Sequence, residues 1–320
     1  MKKMSSKYID SRWVILTLLF GILVTCVVAY RTQDANEKRI ANAVYQSSNK
    51  AMEEVVSRIQ LYQYGLRGAR GVVLTTGENE ITRDVFSLYS LTRDVDVEFP
   101  GARGFGFIRR VPQADASAFT LSASQDGWPD FAIKTLFPNF NEHYVIQYIE
   151  PVERNRQAVG LDIASEKNRR EAATSSLYTG EVRLTGPITL VQASGKAQQS
   201  VLILMPIYRG GKVPETLDER IEAGFGWSYA PLLMEEVLNH LDIDLEKIHY
   251  ELFDVTDLDD KVRFYDSGKL KNRQYEISQS KHIYGRSWES HLSVSPAYIA
   301  DLHLPNPFSF IIIGVFISVL

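Results

Sequence analysis

The sequence predicts an α+β protein in which a long N-terminal helix precedes strand-rich, mostly antiparallel sheets, with an apolar run at each end. Three observations carry that prediction. From Ala41 to Val73 the small and apolar residues recur in alternating steps of four and three, the spacing of a helix with one apolar seam. Beyond residue 100 the pattern changes to short apolar stretches cut by Gly and Pro, the mark of strands. Uncharged runs cover 13–30 and 308–320, so the averages of 45% hydrophobic and 23% charged residues conceal where the apolar residues sit. The 320 residues and net charge of −4 would otherwise describe a soluble chain of about two domains.

The first run is near the lower limit of about 20 residues needed to span a bilayer as a helix. Trp13 and Tyr30 sit at its edges and Arg31 closes its far side, where interfacial aromatics and charges belong. Lys2, Lys3, Lys7 and Arg12 precede it against one acid, Asp10. The positive-inside rule therefore predicts a cytoplasmic segment 1–12, a transmembrane helix 13–30 and an outer region 31–306 that is periplasmic or extracellular, anchored in the inner (plasma) membrane. A cleaved signal peptide, with Val27-Val28-Ala29 as its cleavage site, is the competing expectation. The run 308–320 reads as the start of a second transmembrane helix cut by the end of the chain, with a cytoplasmic part beyond it. A hydrophobic core strand is the alternative. Cys26 is the only cysteine, so a disulfide framework, a thiolate metal site and a cysteine nucleophile are all excluded from the outer region.

Residues 31–74 read as a stalk helix rising from the membrane. Its seam (Ala41, Tyr45, Ser48, Met52, Val55, Ile59, Tyr62, Leu66, Ala69 and Val73) suits either packing on its own domain or a homodimer interface. Gly65, Gly68 and Gly71 weaken the helix there and point to close packing of another backbone or to the helix end. A short helix is expected over 81–92, a strand over 104–111, a helix over 115–123, and strands over 131–136 and 144–149. A helix from Ser165 to Tyr178 stops at Gly180, and strands follow over 182–190 and 200–207, joined through Gly195. Arg209-Gly210-Gly211-Lys212 and Pro214 make the best internal boundary, dividing a module 75–211 from a smaller one, 212–306. The latter is expected to hold a strand from Gly224, a helix over 231–241 and strands over 248–255, 262–265 and 287–294. Both modules give the α+β pattern.

Catalytic signatures are missing. There is no nucleophile elbow, phosphate loop, dinucleotide glycine fingerprint or HExxH, and His143, His240, His249, His282, His291 and His303 show no i, i+4 metal pair. The stretch 254–260 resembles half a calcium loop but lacks the central glycine and distal glutamate, so it reads as a hairpin turn. No catalytic residue, cofactor or metal is expected, and the acidic balance disfavours nucleic acid.

The densest signal runs from His143 to Tyr208. Tyr148-Ile149-Glu150-Pro151 with Asn155, Gly160-Leu161-Asp162 with Arg169-Arg170, Thr179-Gly180, Leu184-Thr185-Gly186-Pro187-Ile188 and Pro206-Ile207-Tyr208 resemble, in order and spacing, the CHASE domain. This is the extracytoplasmic sensory module of bacterial and plant receptors, including the cytokinin receptor kinases. The resemblance implies a stalk followed by two tandem PAS-like modules, with a small ligand bound in the membrane-distal one (75–211). It also implies an output domain beyond the second membrane helix, either a histidine kinase of a two-component system or a cyclic-di-GMP enzyme. In the cytokinin receptors an aspartate bonds the ligand; Glu153 stands at the corresponding position, and the change puts the ligand's identity in doubt. Leu184 matches a cavity-wall residue.

Apolar walls with a few convergent polar groups make small-molecule sites. Phe107, Tyr148, Leu184, Leu204 and Tyr208 are the expected wall, Glu153 and Thr185 the orienting groups, and Gly186 with Pro187 the close backbone approach. Glu153 could equally pair on the surface with Arg154 or Arg156, and the segment 184–188 could be a packed strand. The expected function is a ligand sensor of a transmembrane signalling receptor; the alternative is an extracytoplasmic assembly or adhesion module that binds protein and no small molecule.

Overall fold

In the computed structural model, residues 11–191, 199–239, 241–257 and 259–319 are described. The basic N-terminal residues Lys2, Lys3 and Lys7 with Asp10, and Gly195, His240 and Leu258, lie outside them. The first element, α1, is one 66-residue helix, Ser11–Thr76, about 100 Å long at ~1.5 Å per residue. Its N-terminal part exposes large apolar side chains such as Phe20 and Leu23. It is the one helix among the described residues that is long and apolar enough to cross a membrane by length and composition.

Farther along, the seam turns inward. Ser48, Met52, Val55, Ile59, Tyr62, Leu66, Ala69 and Val73 are all buried, whereas Ala41 and Tyr45 are exposed and Ile40 and Val44 take the inner positions. A straight helix at 3.6 residues per turn drifts off a 3.5-residue repeat, so the buried stripe slips by one residue below Ser48. Gly65 and Gly68 admit side chains: a Cβ on Gly65 would lie 2.1 Å from the Phe105 ring, and one on Gly68 would lie 2.3 Å from Tyr89 and Arg93. The expected approach of a second backbone is absent at these two positions, and α1 continues to Thr76.

Two short helices, α2 (Arg83–Ser90) and α3 (Val95–Glu98), bring the chain back. A seven-stranded sheet follows, built from β1 (Phe105–Val111), β2 (Lys134–Thr135), β3 (His143–Glu150), β4 (Leu161–Asp162), β5 (Arg183–Leu184), β6 (Ser200–Tyr208) and β7 (Gly224–Leu233). Its order is β2-β4-β3-β1-β7-β6-β5, antiparallel except where β2 meets β4. The helices α4 (Ala116–Gln125), α5 (Lys167–Thr179), α6 (Leu217–Ala223) and α7 (Met234–Val237) connect the strands. A four-stranded sheet then forms from β8 (Ile248–Asp254), β9 (Val262–Asp266), β10 (Gln274–Ile283) and β11 (Arg286–Val294), in the order β10-β11-β8-β9. The chain returns to α1 through α8 (Pro296–Asp301) and α9 (Pro307–Val319).

Period-two alternation sorts the core. On β6, Val201, Ile203, Met205 and Ile207 face α1, while Leu202, Leu204 and Tyr208 face the other side. The α1-side core also takes Ile248, Tyr250 and Leu252 of β8 and Leu292 and Val294 of β11, so one helix face serves both sheets. At the far end α9 runs antiparallel to α1: Gly314 lies against Thr25, and the Asn36 amide donates to the Pro305 carbonyl at 2.8 Å.

Several expected elements differ. The strand expected over 131–136 is only β2, and that over 182–190 is only β5 with a single bridge from Ile188 to Ser200. The helix expected over 231–241 is reduced to the one turn of α7, Met234–Val237, because 231–233 still belong to β7. Pro231 extends β7 because its carbonyl accepts from Arg103 N (2.8 Å), on the side where β1 has already ended, so its missing N–H breaks no ladder bond. The unforeseen elements are α3, β4, α6, started by a Thr216–Glu219 capping box, α8 and the exposed edge strand β10.

Because Leu66 is fully buried between α1 and the sheets, Leu66→Ala should lower the unfolding free energy by about 2–5 kcal/mol. Gln60→Ala on the open face should change it by less than about 0.5 kcal/mol. Urea unfolding followed by tryptophan fluorescence measures both.

Candidate ligand-binding site

The face of the seven-stranded sheet that points away from α1 is roofed by α5. Glu166 starts that helix: its carboxylate accepts from Asn168 N (3.0 Å) and Arg169 N (3.1 Å), a side-chain cap placed where negative charge suits the helix dipole. Gly180 ends it in the left-handed region at φ 76°. Trp227 Nε1 donates to the Ala173 carbonyl (3.0 Å) and Tyr208 Oη to that of Leu177 (2.5 Å), pinning the roof to β7 and β6.

Between roof and sheet lies a small cavity of about 10 Å³, room for one water molecule. Its walls include Ile146, Leu161, Val191 and Leu202, and two polar side chains reach it, Tyr229 and Arg169. Tyr229 is fully buried, and its hydroxyl has no hydrogen-bond partner among the described residues. Burial pushes its pKa well above the ordinary tyrosine value, so it stays neutral and can donate. Arg169 is 3% exposed; it donates to the Thr189 carbonyl (2.8 Å) and lies 3.4 Å from Glu166. Burial lowers its pKa from the usual arginine value. The cavity thus combines an apolar lining, an unused hydroxyl donor and a guanidinium, the make-up of a site for a small, mainly apolar molecule carrying an acceptor.

The structure scatters the residues that the sequence brings together. Phe107, Tyr148 and Leu184 belong to the α1-side core, whereas Leu204 and Tyr208 lie on the cavity's side of the sheet. Thr185 is buried as a strand partner, exchanging bonds with Leu202 through its N–H (2.9 Å) and Oγ1 (3.0 Å). Gly186 lies between Asn168 and Arg286, and the Pro187 carbonyl accepts from Asn168 (3.4 Å). Glu153 is exposed in an open depression beside α3. Sequence reasoning missed Tyr229; the signal was the run of aromatics Phe225, Trp227 and Tyr229 at period two.

Other motif residues hold the frame. Asp162 is fully buried and accepts from His143 (2.8 Å), Asn139 (2.7 Å), Tyr144 N (2.8 Å) and Ala164 N (2.9 Å). Asn155, also fully buried, donates to the carbonyls of Arg103 (2.7 Å) and Pro151 (2.8 Å). The segment from Leu184 to Pro187 links the two sheets: Leu184 N donates to the Tyr284 carbonyl (2.9 Å), and the neighbouring Arg286 makes two 2.7 Å bonds to the buried Asp254. Asp254, read from sequence as the start of a hairpin turn, is thereby an inter-strand ion-pair partner.

One group of metal-ligand type occurs among the described residues, His249, Glu251 and Asp266. Arg263 bonds both carboxylates (2.6 and 3.0 Å) and Arg273 reaches His249 (3.1 Å). Guanidinium groups already fill the positions a cation would need, so these residues do not fit a metal.

Tyr229→Phe removes a buried, unpaired hydroxyl and should raise stability of the ligand-free chain by about 1–3 kcal/mol. A shift of the urea midpoint to higher concentration is the expected reading; a shift to lower concentration would mean that the hydroxyl is satisfied.

A family model for the CHASE domain matches residues 79–265, more than half of the chain. A comparison with curated proteins finds no match.

Proposed function

The chain belongs to the CHASE-domain family, whose members are sensor modules of signalling receptors, and from that premise we propose that it binds a small ligand in the cavity beneath α5. The carrying observation is the Tyr229 hydroxyl, fully buried and without a hydrogen-bond partner among the described residues. Leaving such a group unpaired costs roughly 1–3 kcal/mol, and a ligand acceptor at that point removes the penalty. At about 10 Å³ the cavity admits nothing larger than water, so a ligand enters only by displacing the roof. Binding and a change of shape are then one event, which is what a sensor requires, because a ligand shifts an equilibrium only by its differential affinity for two states.

In this reading the two sheets act as tandem PAS-like modules outside the membrane, α1 and α9 continue as the flanking membrane helices, and a cytoplasmic histidine kinase or cyclic-di-GMP enzyme receives the signal. Displacement of α5 passes through Asn168 to the segment from Leu184 to Pro187, then to Arg286, the four-stranded sheet, α8 and α9. Leu204 and Tyr208 lie on the same side of the sheet as this cavity without lining it, and Glu153 lies away from it in the depression beside α3. A homodimer through the stalk uses the face of α1 left open by the sheets, where Leu61 and Tyr64 are 40% and 58% exposed.

The test is a thermal-shift screen of small heteroaromatic and aliphatic compounds on the intact chain. A ligand at ~100 times its dissociation constant adds ~2.7 kcal/mol. For any hit, Tyr229→Phe should weaken binding about tenfold or more while Glu153→Gln leaves it unchanged; the reverse pattern would return the site to Glu153. The second reading, an assembly module, draws on Phe137 and Phe140 beside the edge strand β2, 62% and 85% exposed. It predicts stability that rises with protein concentration and is lost in Phe140→Ser; concentration-independent unfolding would exclude it.

A further inference from the structure

A second, larger opening lies beside the end of β1, between α4 and the loop after α1. It is a cleft of about 620 Å³ bounded by the loop after α1, the end of β1, α4 and β3. Its polar groups are not evenly used. Arg110 is occupied by Glu142 (2.6 Å) and the carbonyls of Ile221 and Gly224, and Asp126 is occupied by Tyr148 Oη (2.6 Å) and the Arg83 N–H (3.0 Å). That leaves Arg109 and Arg209 facing one carboxylate. Arg209 holds Glu78 with two bonds of 2.6 and 2.8 Å, and Arg109 lies 3.5 Å from the same group and donates to the Glu78 carbonyl. Two guanidinium groups thus share one acid at this end of the cleft, Arg109 donating also to Asn79 Oδ1 (3.1 Å) and Arg209 to the Glu222 carbonyl (2.9 Å).

A further observation points to a missing partner. Gln147 lines the cleft and is 7% exposed; its Nε2 donates to Tyr148 Oη (2.9 Å), but its Oε1 has no partner among the described residues. A buried carbonyl oxygen in this position calls for an N–H or O–H donor. The wall opposite carries the ring of Phe119, and Asp115 stands exposed at the rim, where it repels multiply charged anions.

We propose that this cleft binds a small monocarboxylate bearing a hydroxyl or amino group, its carboxylate on Arg109 and Arg209 and its donor on Gln147 Oε1. Glu78 occupies the two arginines when the cleft is empty of ligand, and the incoming carboxylate takes its place, since planar bidentate pairing favours either acid on arginine. Glu78 stands two residues beyond the end of α1, so the exchange releases the loop at the tip of the stalk. The proposal concerns a site separate from the cavity beneath α5 and does not depend on it.

The experiment is isothermal titration of the full chain in lipid nanodiscs with glycolate, glycine, acetate and inorganic phosphate at millimolar concentrations. Glycolate or glycine should bind more tightly than acetate, which lacks the donor, and more tightly than phosphate. Arg209→Gln should weaken binding roughly tenfold to a hundredfold, Glu78→Gln should strengthen it by removing the internal competitor, and Gln147→Met should abolish the preference over acetate. Tyr229→Phe should have no effect. Absence of saturable binding for all three carboxylates, tighter binding of phosphate, or binding indifferent to both Arg209→Gln and Glu78→Gln would overturn the proposal.

Discussion

Everything in this structure depends on a single apolar face of α1. Eleven buried positions from Val44 to Val73 supply one wall of the core for the seven-stranded sheet and the four-stranded sheet together. Neither sheet covers both of its own faces, so each needs the helix. A helix that serves as the common floor of two sheets cannot move relative to one without disturbing the other, because close-packed interfaces shift between discrete arrangements rather than deform continuously. The same helix is continuous with the apolar segment at its N-terminus, which ties that segment rigidly to the core.

The two faces of the seven-stranded sheet are covered by different helices, α1 on one side and α5 on the other. The α1 face is filled by large side chains such as Phe107, Tyr148 and Ile203. The α5 face contains Tyr229, whose hydroxyl has no partner among the described residues, a condition that Ser48 of α1 shares. Around that point the fold is unusually well fixed: Asp162, Asn155 and Thr185 each bond backbone groups from separate segments. A rigid frame around the cavity is what the proposed sensing requires.

Much of this was legible in the chain. Steps of four and three gave the inner stripe from Ser48 to Val73 because a helix face must match its core continuously, and β3, β6, β8 and β11 were visible as apolar alternation. The edge strand β10 was not, since it exposes polar residues on both faces and so lacks the contrast that pattern reading needs. Pro231 misled because its position at the margin of the β1 ladder is a tertiary fact. The proposed site was harder still. Motif residues such as Asp162 and Thr185 carry the family resemblance but serve the frame, while Tyr229 and Arg169 meet only through folding, sixty residues apart in sequence. No local spacing announces such a pair.

The central claim is that occupation of the cavity beneath α5 is transmitted to the four-stranded sheet through Leu184–Pro187 and the Arg286–Asp254 pair. Hydrogen exchange of the intact chain in nanodiscs, with and without a ligand found by screening, tests it most directly. The account predicts that amides of 167–179, 183–188 and 284–287 change protection together on binding, and that Arg286→Ala confines the change to the first two segments. Protection that changes in α5 alone in the wild-type chain, or that reaches 284–287 undiminished in Arg286→Ala, would contradict it.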